Sequence, residues 1–173
     1  MTKKYNVLFL CRENSALSII AEALLRELAG DRFEAYSAGP EPAQRVHPFA
    51  LAQLQPGVSE VGLLCPKSWL EFTGEWAPRM HVVVALDDSA AVRKLPVFPG
   101  APAFCAWRFV DPLAEDLSGA ECMRLFEKAF WQIVRQLSAF IQSPKYARPP
   151  QTTSFAGTCT RGAVKTGHCD VHQ

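Results

Sequence analysis

The stretch "YNVLFLCRENSALSIIAEALL", residues 5–25, decides the fold because its periodicity changes in the middle. Its first part, residues 5–10, is a continuous apolar run with β-branched and aromatic side chains, which is typical of a buried parallel strand. From Ser18 onward, apolar residues recur at helical spacing, and Gly30 provides a natural helix end. Residues 11–17 form a short polar loop between the two. The stretch therefore predicts a strand, a tight loop and a helix that begins beside the strand's carboxyl end.

The same alternation of strand and helix patterns continues along the chain. Strands are predicted at 5–10, 33–38, 81–86 and 104–110, and helices at 18–29, 47–54, 67–72, 89–95 and 119–141. This order predicts an α/β fold with a doubly wound, four-stranded parallel sheet. After Ile141 the chain becomes rich in Pro, Ser, Thr and Gly. We therefore expect a folded domain at residues 1–142 and a flexible C-terminal tail at 143–173.

The composition excludes several classes of protein. A chain of 173 residues with 49% hydrophobic and 20% charged residues fits one globular domain. The net charge of +1 gives no general attraction to nucleic acid or to an anionic membrane. No apolar run reaches the about 18 residues of a membrane span, and no signal peptide precedes the first strand. The six cysteines have no disulfide-framework spacing, so we expect a cytoplasmic protein with reduced thiols.

The loop carries the residues with chemical potential. A strand that ends at a helix N-terminus offers unpaired backbone N–H groups and a positive dipole end, which favour an oxyanion and a thiolate. Cys11 is therefore predicted to be a nucleophile with a stabilised thiolate, to which Ser18 can donate a hydrogen bond. Asn14 suits a left-handed turn that ties the loop together. The alternative is a buried strand-end thiol beside an ordinary turn and helix cap.

Five motifs in a fixed order carry a family resemblance. The chain resembles the low-molecular-weight protein tyrosine phosphatase family, and most closely its thioredoxin-coupled arsenate-reductase branch. The resemblance covers about residues 5–141 and rests on "VLFLCRENSALSIIAEALL", "SAG" (37–39), "VHPFA" (46–50), "PVFPGAP" (96–102) and "WRFVDPLAE" (107–115).

The resemblance implies roles for individual residues, either in a hydrolase (a protein tyrosine phosphatase) or in an arsenate reductase. Cys11 would be the nucleophile, the loop at residues 11–18 would hold the oxyanion, and Asp111 of the Asp-Pro pair would be the general acid. Ser18, a possible donor to the sulfur, is a third candidate catalytic residue. The alternative for Asp111 is a simple turn or helix cap. Glu22 matches a position that helps to form a potassium site in some arsenate reductases, although we predict no metal and no cofactor here. The candidate oxyanion-binding residues are Arg12, Glu13, Asn14, Ser15, Ala16, Leu17, Ser37 and Arg108; among them, Asn14 and Ser37 resemble the pair that holds the loop against the second strand.

The loop departs from the family pattern at its most important position. The family motif is Cys, five residues and then Arg, whereas Leu17 stands at the Arg position here. Leucine cannot supply the bidentate, charge-assisted grip of a guanidinium on an oxyanion. Glu13 adds a negative charge beside the loop. We therefore predict impaired catalysis, with Arg108 as one candidate for a replacement cation if the acid loop closes.

The cysteines argue against an arsenate-reductase relay, which needs further thiols near the first. Asp87 and Leu95 stand near the positions where this branch has them, and no cysteine lies between Cys65 and Cys105. Cys65, Cys105, Cys122 and the tail cysteines are candidates for an improvised relay partner, and the alternative is that each is an inert thiol. A zinc site in the tail is a further alternative, but its spacing matches no common structural site; it would use Cys159, His168, Cys169 and His172.

Two hypotheses of different classes follow. The first is a phosphatase- or arsenate-reductase-like protein that acts weakly on a phosphate-, arsenate- or sulfate-type oxyanion through Cys11, with a phosphoprotein or a thiol reductant as partner. The second is a non-catalytic module that binds an oxyanion or a regulatory partner. Neither hypothesis involves nucleic acid or a membrane. An active enzyme needs a cation within reach of the loop, whereas a binding module does not.

Overall fold

The structure is a computed structural model that describes residues 3–89, 93–113 and 116–151. Four strands alternate with the helices in the predicted order: β1 is Tyr5–Leu10, β2 is Phe33–Ala38, β3 is Val82–Ala85 and β4 is Ala103–Ala106. The α-helices are α1 (Leu17–Ala29), α2 (Pro48–Leu54) and α3 (Gly119–Gln142), and short 3-10 helices lie at Val61–Leu63, Trp69–Phe72 and Pro144–Tyr146. No helix of the described residues is long and apolar enough to cross a membrane.

The strands form one parallel sheet in the order β2-β1-β3-β4, which confirms the predicted fold class. The chain moves from β1 to β2 on one side and then crosses to β3 on the other side of β1. This reversal creates a crevice at the carboxyl ends of β1 and β3, where ligands bind in open α/β sheets. The loop that follows Leu10 therefore begins at the topological switch point.

Both faces of the sheet are covered, so β1, one of its two central strands, is apolar and buried from Val7 to Leu10. Val7 and Phe9 of β1 pack into a large cluster with the helices, including Ile20 of α1 and Ile133 of α3. Leu8 and Leu10 point to the opposite face and pack with Trp69, Phe72, Met80, Val83 and Phe98. This two-sided burial explains why β1 reads as a continuous apolar run without alternation.

One predicted strand is shorter in the structure, and one predicted helix lies partly outside the described residues. The strand predicted at 104–110 ends at Ala106, because its partner β3 ends at Ala85 and the last bond between them runs from the Trp107 amide to the Ala85 carbonyl, 2.9 Å. The helix predicted at 89–95 cannot be traced throughout, since residues 90–92 lie outside the described residues.

The chain beyond α3 remains packed for several residues. Tyr146 is only 6% exposed, and its ring lies 5.0 Å from that of Tyr5 and 4.6 Å from that of Phe140. The first residues of the predicted tail therefore contact the core. Cys159, His168, Cys169 and His172 lie outside the described residues, so the division at residue 142 and the zinc alternative stay predictions.

Candidate functional site

Asn14 organises the loop between β1 and α1. It is fully buried and has a φ of 47°, the left-handed conformation predicted for it. Its Nδ2 donates to Ser18 Oγ (2.8 Å), and its Oδ1 accepts from the Lys67 amide (2.9 Å). The asparagine thus joins the loop to the first turn of α1 and to the segment before Trp69.

Gly39, at the end of β2, allows the loop to lie against the backbone. A Cβ atom at this position would lie 2.3 Å from the Cys11 carbonyl oxygen and 2.6 Å from that of Arg12. Backbone hydrogen bonds from the following segment hold the loop carbonyls: the Glu41 amide donates to Arg12, Ala43 to Glu13, and His47 to Ser15. The glycine of the "SAG" motif is therefore required because any side chain at position 39 would collide with the loop backbone.

The loop keeps amide groups available. Within the described part of the chain, the amide N–H groups of Glu13, Ser15 and Ala16 form no hydrogen bond with a protein acceptor. The first-turn amides of α1 also lack intrahelical acceptors, and Ala16 at the N-cap provides no side-chain cap. The loop is thus rich in free donors at a positive helix end, which suits an anion.

Cys11 is buried, with 7% of its surface exposed, and its Sγ lies 2.7 Å from Ser18 Oγ. Burial raises the pKa of the Cys11 thiol, and the negative charge of Asp87 raises it further. The Ser18 side chain and the amides of Ser18 and Asn14 lower this pKa, but burial outweighs them. The net direction is opposite to the prediction, because desolvation of the buried sulfur outweighs the groups that favour the thiolate.

A cavity of ≈ 440 Å³ opens at Cys11 and brings together most of the predicted site residues. Asp111 lines the same cavity, and its Oδ1 accepts from the Leu113 amide (2.9 Å), so it also holds the predicted turn. Four predicted residues do not line the cavity: Asn14, Ser18, Ser37 and Arg108. The other predicted residues that line it are Arg12, Glu13, Ser15, Ala16 and Leu17.

The electrostatics of the cavity are unusual for an anion site. Four carboxylates line it, from Glu13, Asp87, Asp88 and Asp111. The guanidinium of Arg12 does not balance them, because its Nε donates to Glu41 Oε2 at 2.6 Å.

Two other arginines lie near these carboxylates. Arg93 bonds both oxygens of Asp88, at 3.0 and 2.8 Å, and lowers the pKa of that carboxyl; the exposed Arg108 lowers it too, as the smallest contribution. Leu17 is 2% exposed and packs in the core at the edge of the cavity.

Asp87 is the residue that the sequence argument did not assign to the site. Its Oδ2 accepts the Arg12 amide at 2.6 Å, and its Oδ1 accepts the Ser89 amide at 3.0 Å. It follows the end of β3, beside β1. A polar residue just after a parallel strand at the switch point is the signal that could have found it.

Ser37 has a different contact from the one that the resemblance implied. Its hydroxyl donates to Glu22 Oε2 (2.8 Å), not to the loop. The buried Glu22 also accepts from Arg26 (3.1 Å), and the Lys67 ammonium lies 3.9 Å from it. Glu22 is therefore already surrounded by donors. In the part of the chain that the structure describes, no three His, Cys, Asp or Glu residues are placed to hold a metal ion.

The remaining described cysteines do not meet the cavity. Cys65 is exposed, Cys105 lies in β4, and Cys122 in α3 donates to the Pro112 carbonyl oxygen at 3.6 Å. Among the described cysteines, Cys11 alone lines the cavity. The described residues thus place no second thiol beside the first.

Comparison with known proteins agrees with the fold. The model of a family described as low molecular weight phosphotyrosine protein phosphatase matches residues 6–103. An arsenate reductase from Halalkalibacterium halodurans is 28% identical over 146 residues, which are 84% of this chain and 100% of that protein.

Solved structures of arsenate reductases are also similar to this chain. A thioredoxin-dependent arsenate reductase from Corynebacterium glutamicum has a TM-score of 0.57 and 27% identity, with 81% of this chain and 63% of that chain covered. An arsenate reductase in a phosphate-binding state has a TM-score of 0.64 over 79% of this chain and 96% of its own. At 23% identity, this second likeness concerns the fold alone.

Proposed function

Because the chain belongs to the low-molecular-weight phosphotyrosine protein phosphatase family, we propose that its loop at residues 11–17 holds a phosphate-type oxyanion and that Cys11 supports slow hydrolysis of phosphate monoesters. The observation that carries this proposal is the set of free amides at Glu13, Ser15 and Ala16, three residues that line the cavity together with Cys11. Several backbone donors around one anion compensate its charge without a side-chain cation.

The reaction takes two steps. In the first, the Cys11 thiolate attacks phosphorus, an S–P bond forms and the P–O bond to the leaving group breaks, while Asp111 gives its proton to the leaving oxygen. In the second, a water molecule attacks phosphorus, the S–P bond breaks, and the proton of the water returns to Asp111. Inorganic phosphate and the thiolate are restored, so no external reductant is required.

Three features make this reaction slow. Leu17 leaves the oxyanion without a guanidinium, and loss of one oxyanion donor costs about 10²–10³ in rate. Burial keeps the Cys11 pKa high, so little thiolate is present near neutral pH. The cavity carboxylates other than the proton donor Asp111, from Glu13, Asp87 and Asp88, repel an approaching anion.

Hydrolysis is favoured over arsenate reduction. The relatives named above are arsenate reductases, and one of them depends on thioredoxin. Reduction by that route needs a second thiol to form a disulfide with the first. Among the described cysteines, Cys65, Cys105 and Cys122 do not line the cavity, and for this part of the chain arsenate is proposed as a ligand and not as an oxidant.

A non-catalytic oxyanion-binding module is the second candidate. The raised Cys11 pKa and the apolar Leu17 favour it, because binding needs neither a thiolate nor a guanidinium. A phosphoprotein is the partner that fits both candidates. They differ in one measurable property, the appearance of turnover when the missing cation is supplied.

The test is the Leu17→Arg variant, assayed with p-nitrophenyl phosphate. The natural protein is expected to turn over very slowly, and Leu17→Arg to raise kcat/KM by at least about 10², the scale of one oxyanion donor. Glu13→Gly in the same background is expected to raise it further, because it removes a carboxylate from the cavity.

Two controls separate charge from packing. Leu17→Gln introduces a polar side chain without a charge, so it reports the effect of polarity alone at this buried position. Cys11→Ser must abolish the activity. Folding of each variant is checked by circular dichroism. If neither Arg-containing variant gains activity although both fold, the binding module is favoured. If Leu17→Gln raises kcat/KM as much as Leu17→Arg does, the positive charge is not the cause of the gain.

A further inference from the structure

Asp87 makes an unusual contact with the loop. Its Oδ2 accepts the Arg12 amide N–H at 2.6 Å, and this amide belongs to the residue that directly follows Cys11. Its other oxygen, Oδ1, accepts the Ser89 amide at 3.0 Å and so holds the turn after β3. One carboxylate thus connects the two segments that meet at the switch point.

The position of Asp87 is fixed by the sheet. The Leu86 amide donates to the Leu10 carbonyl at 2.8 Å, so the residues that precede Asp87 and Cys11 are bonded to each other. Asp87 and Cys11 therefore follow paired strand ends, and both line the cavity. The negative charge of Asp87 is one of the causes that raise the pKa of the Cys11 thiol, after burial.

The other cavity carboxylates do not share this contact. Asp88 is engaged by Arg93 through both oxygens, and Asp111 by the Leu113 amide. Among the described residues, Asp87 is the carboxylate that accepts a hydrogen bond from a loop amide. An anionic group that takes one of the loop donors resembles, in charge and in hydrogen bonding, the ligand that the loop is built to hold.

We propose that Asp87 determines the charge specificity of the loop: its carboxylate takes the Arg12 amide and repels a second anion, so that singly charged oxyanions are favoured over doubly charged ones. This proposal rests on the proposed function, since it concerns the same loop. Coulomb repulsion from one fixed charge is twice as large for a dianion as for a monoanion at the same distance. Asp87 is accordingly a specificity residue and not a reactant.

The test compares two tetrahedral oxyanions of different charge at one pH. Sulfate carries two negative charges near neutral pH and methanesulfonate carries one, so no titration of the ligand intervenes. Dissociation constants are measured by calorimetry for the natural protein, Asp87→Asn and Asp88→Asn. Asparagine has one acceptor oxygen, so it can hold the Ser89 amide or the Arg12 amide but not both.

Asp87→Asn is expected to tighten sulfate binding at least tenfold and methanesulfonate binding by a clearly smaller factor. Asp88→Asn removes the same charge from the same cavity without freeing a loop amide, and less than a threefold change is expected. In addition, Asp87→Asn is expected to speed the alkylation of Cys11 by iodoacetamide. Asp87→Ser, which retains an acceptor for the Ser89 amide, replaces it if the asparagine variant does not fold.

The outcomes separate the two proposals. If the natural protein binds both anions and Asp87→Asn leaves the ratio of their affinities unchanged, Asp87 has no specificity role, while the oxyanion loop stands. Equal tightening by Asp88→Asn also overturns the role of Asp87, because total charge would then explain the result. If no variant binds either anion, the proposed function fails, and the role of Asp87 fails with it.

Discussion

Ser18 is the residue on which the chemistry of the thiol depends most directly. Its Oγ lies 2.7 Å from Cys11 Sγ and accepts a hydrogen bond from Asn14 at 2.8 Å. With the asparagine donating to it, the hydroxyl proton is free to be given to the sulfur. Among the groups that lower the pKa of Cys11, the Ser18 side chain contributes most.

Replacing Ser18 with Ala is expected to slow the alkylation of Cys11 about tenfold near neutral pH, since a hydrogen bond to a charged group contributes about 1.5–3 kcal/mol. The measurement is the rate of reaction with iodoacetamide as a function of pH. Because burial raises the pKa of Cys11, the rate for the natural protein is expected to keep rising beyond the ordinary cysteine value of about 8.5. In the alanine variant this rise is expected to move to still higher pH.

Ser15→Ala is the matched control for Ser18→Ala. Ser15 is buried in the same loop and lines the cavity, and no bond joins its side chain to the thiol. The pH profile of Cys11 alkylation in Ser15→Ala should therefore follow that of the natural protein. A profile that is the same in all three proteins would mean that Ser18 does not stabilise the thiolate.

For individual residues, the sequence predicted side-chain contacts in the loop better than it predicted the pKa of the thiol. The left-handed Asn14 and the contact between Cys11 and Ser18 follow from residue type and spacing. The direction of the Cys11 pKa does not, because it depends on how much of the chain covers the sulfur. Nor was the bond of Asp87 to the Arg12 amide predictable, since the two residues are 75 positions apart.

Among the secondary-structure elements, the contact between the loop and the end of β2 sets the position of the loop. Gly39 lies where a side chain would meet the carbonyl oxygens of Cys11 and Arg12. These atoms belong to the backbone, so they cannot move aside as a flexible side chain would.

Gly39→Ala is therefore expected to destabilise the fold by about 2 kcal/mol, the usual range for overpacking at a tight position. It should also shift the loop and weaken sulfate binding. The free energy of unfolding is measured in urea and the affinity by calorimetry.

Gly57→Ala provides the comparison, because no atom lies within 4 Å of a Cβ atom at that position. The free energy of unfolding is expected to change by less than about 0.5 kcal/mol there. If the two alanine variants were equally stable, close packing at Gly39 would not limit the loop.

The elements themselves were largely predictable. The bounds of β1 and β2 agree with the sequence patterns, because both strands are bordered by turn residues and have uninterrupted apolar or alternating character. The end of β4 was not predictable, since it is set by the length of β3 and not by its own residues. The parallel, four-stranded sheet was predicted from the alternation of strand and helix patterns, whereas its order β2-β1-β3-β4 was seen only in the structure.

For the whole molecule, the main difference from the prediction is how far the packed chain extends. Composition indicated a tail from residue 143, because prolines and polar residues replace the helical pattern there. Tyr146 nevertheless returns to the core between Tyr5, Phe33 and Phe140. Arg32 supports this return by donating to the carbonyl oxygens of Ile141 and Tyr146. A single aromatic residue among prolines has no periodicity, so no pattern could reveal it.

We therefore propose that the folded domain extends past residue 142 and predict that Tyr146→Ala destabilises the full chain by about 3 kcal/mol, the range found when a buried aromatic side chain is removed. Trp76→Ala is the control, because Trp76 is also a large aromatic residue but is 98% exposed. Its removal is expected to change the free energy of unfolding by less than about 0.5 kcal/mol. Both values are measured by urea unfolding followed by circular dichroism. If the two variants lost equally little stability, the fold would end with α3, and the boundary at residue 142 that composition predicts would be correct.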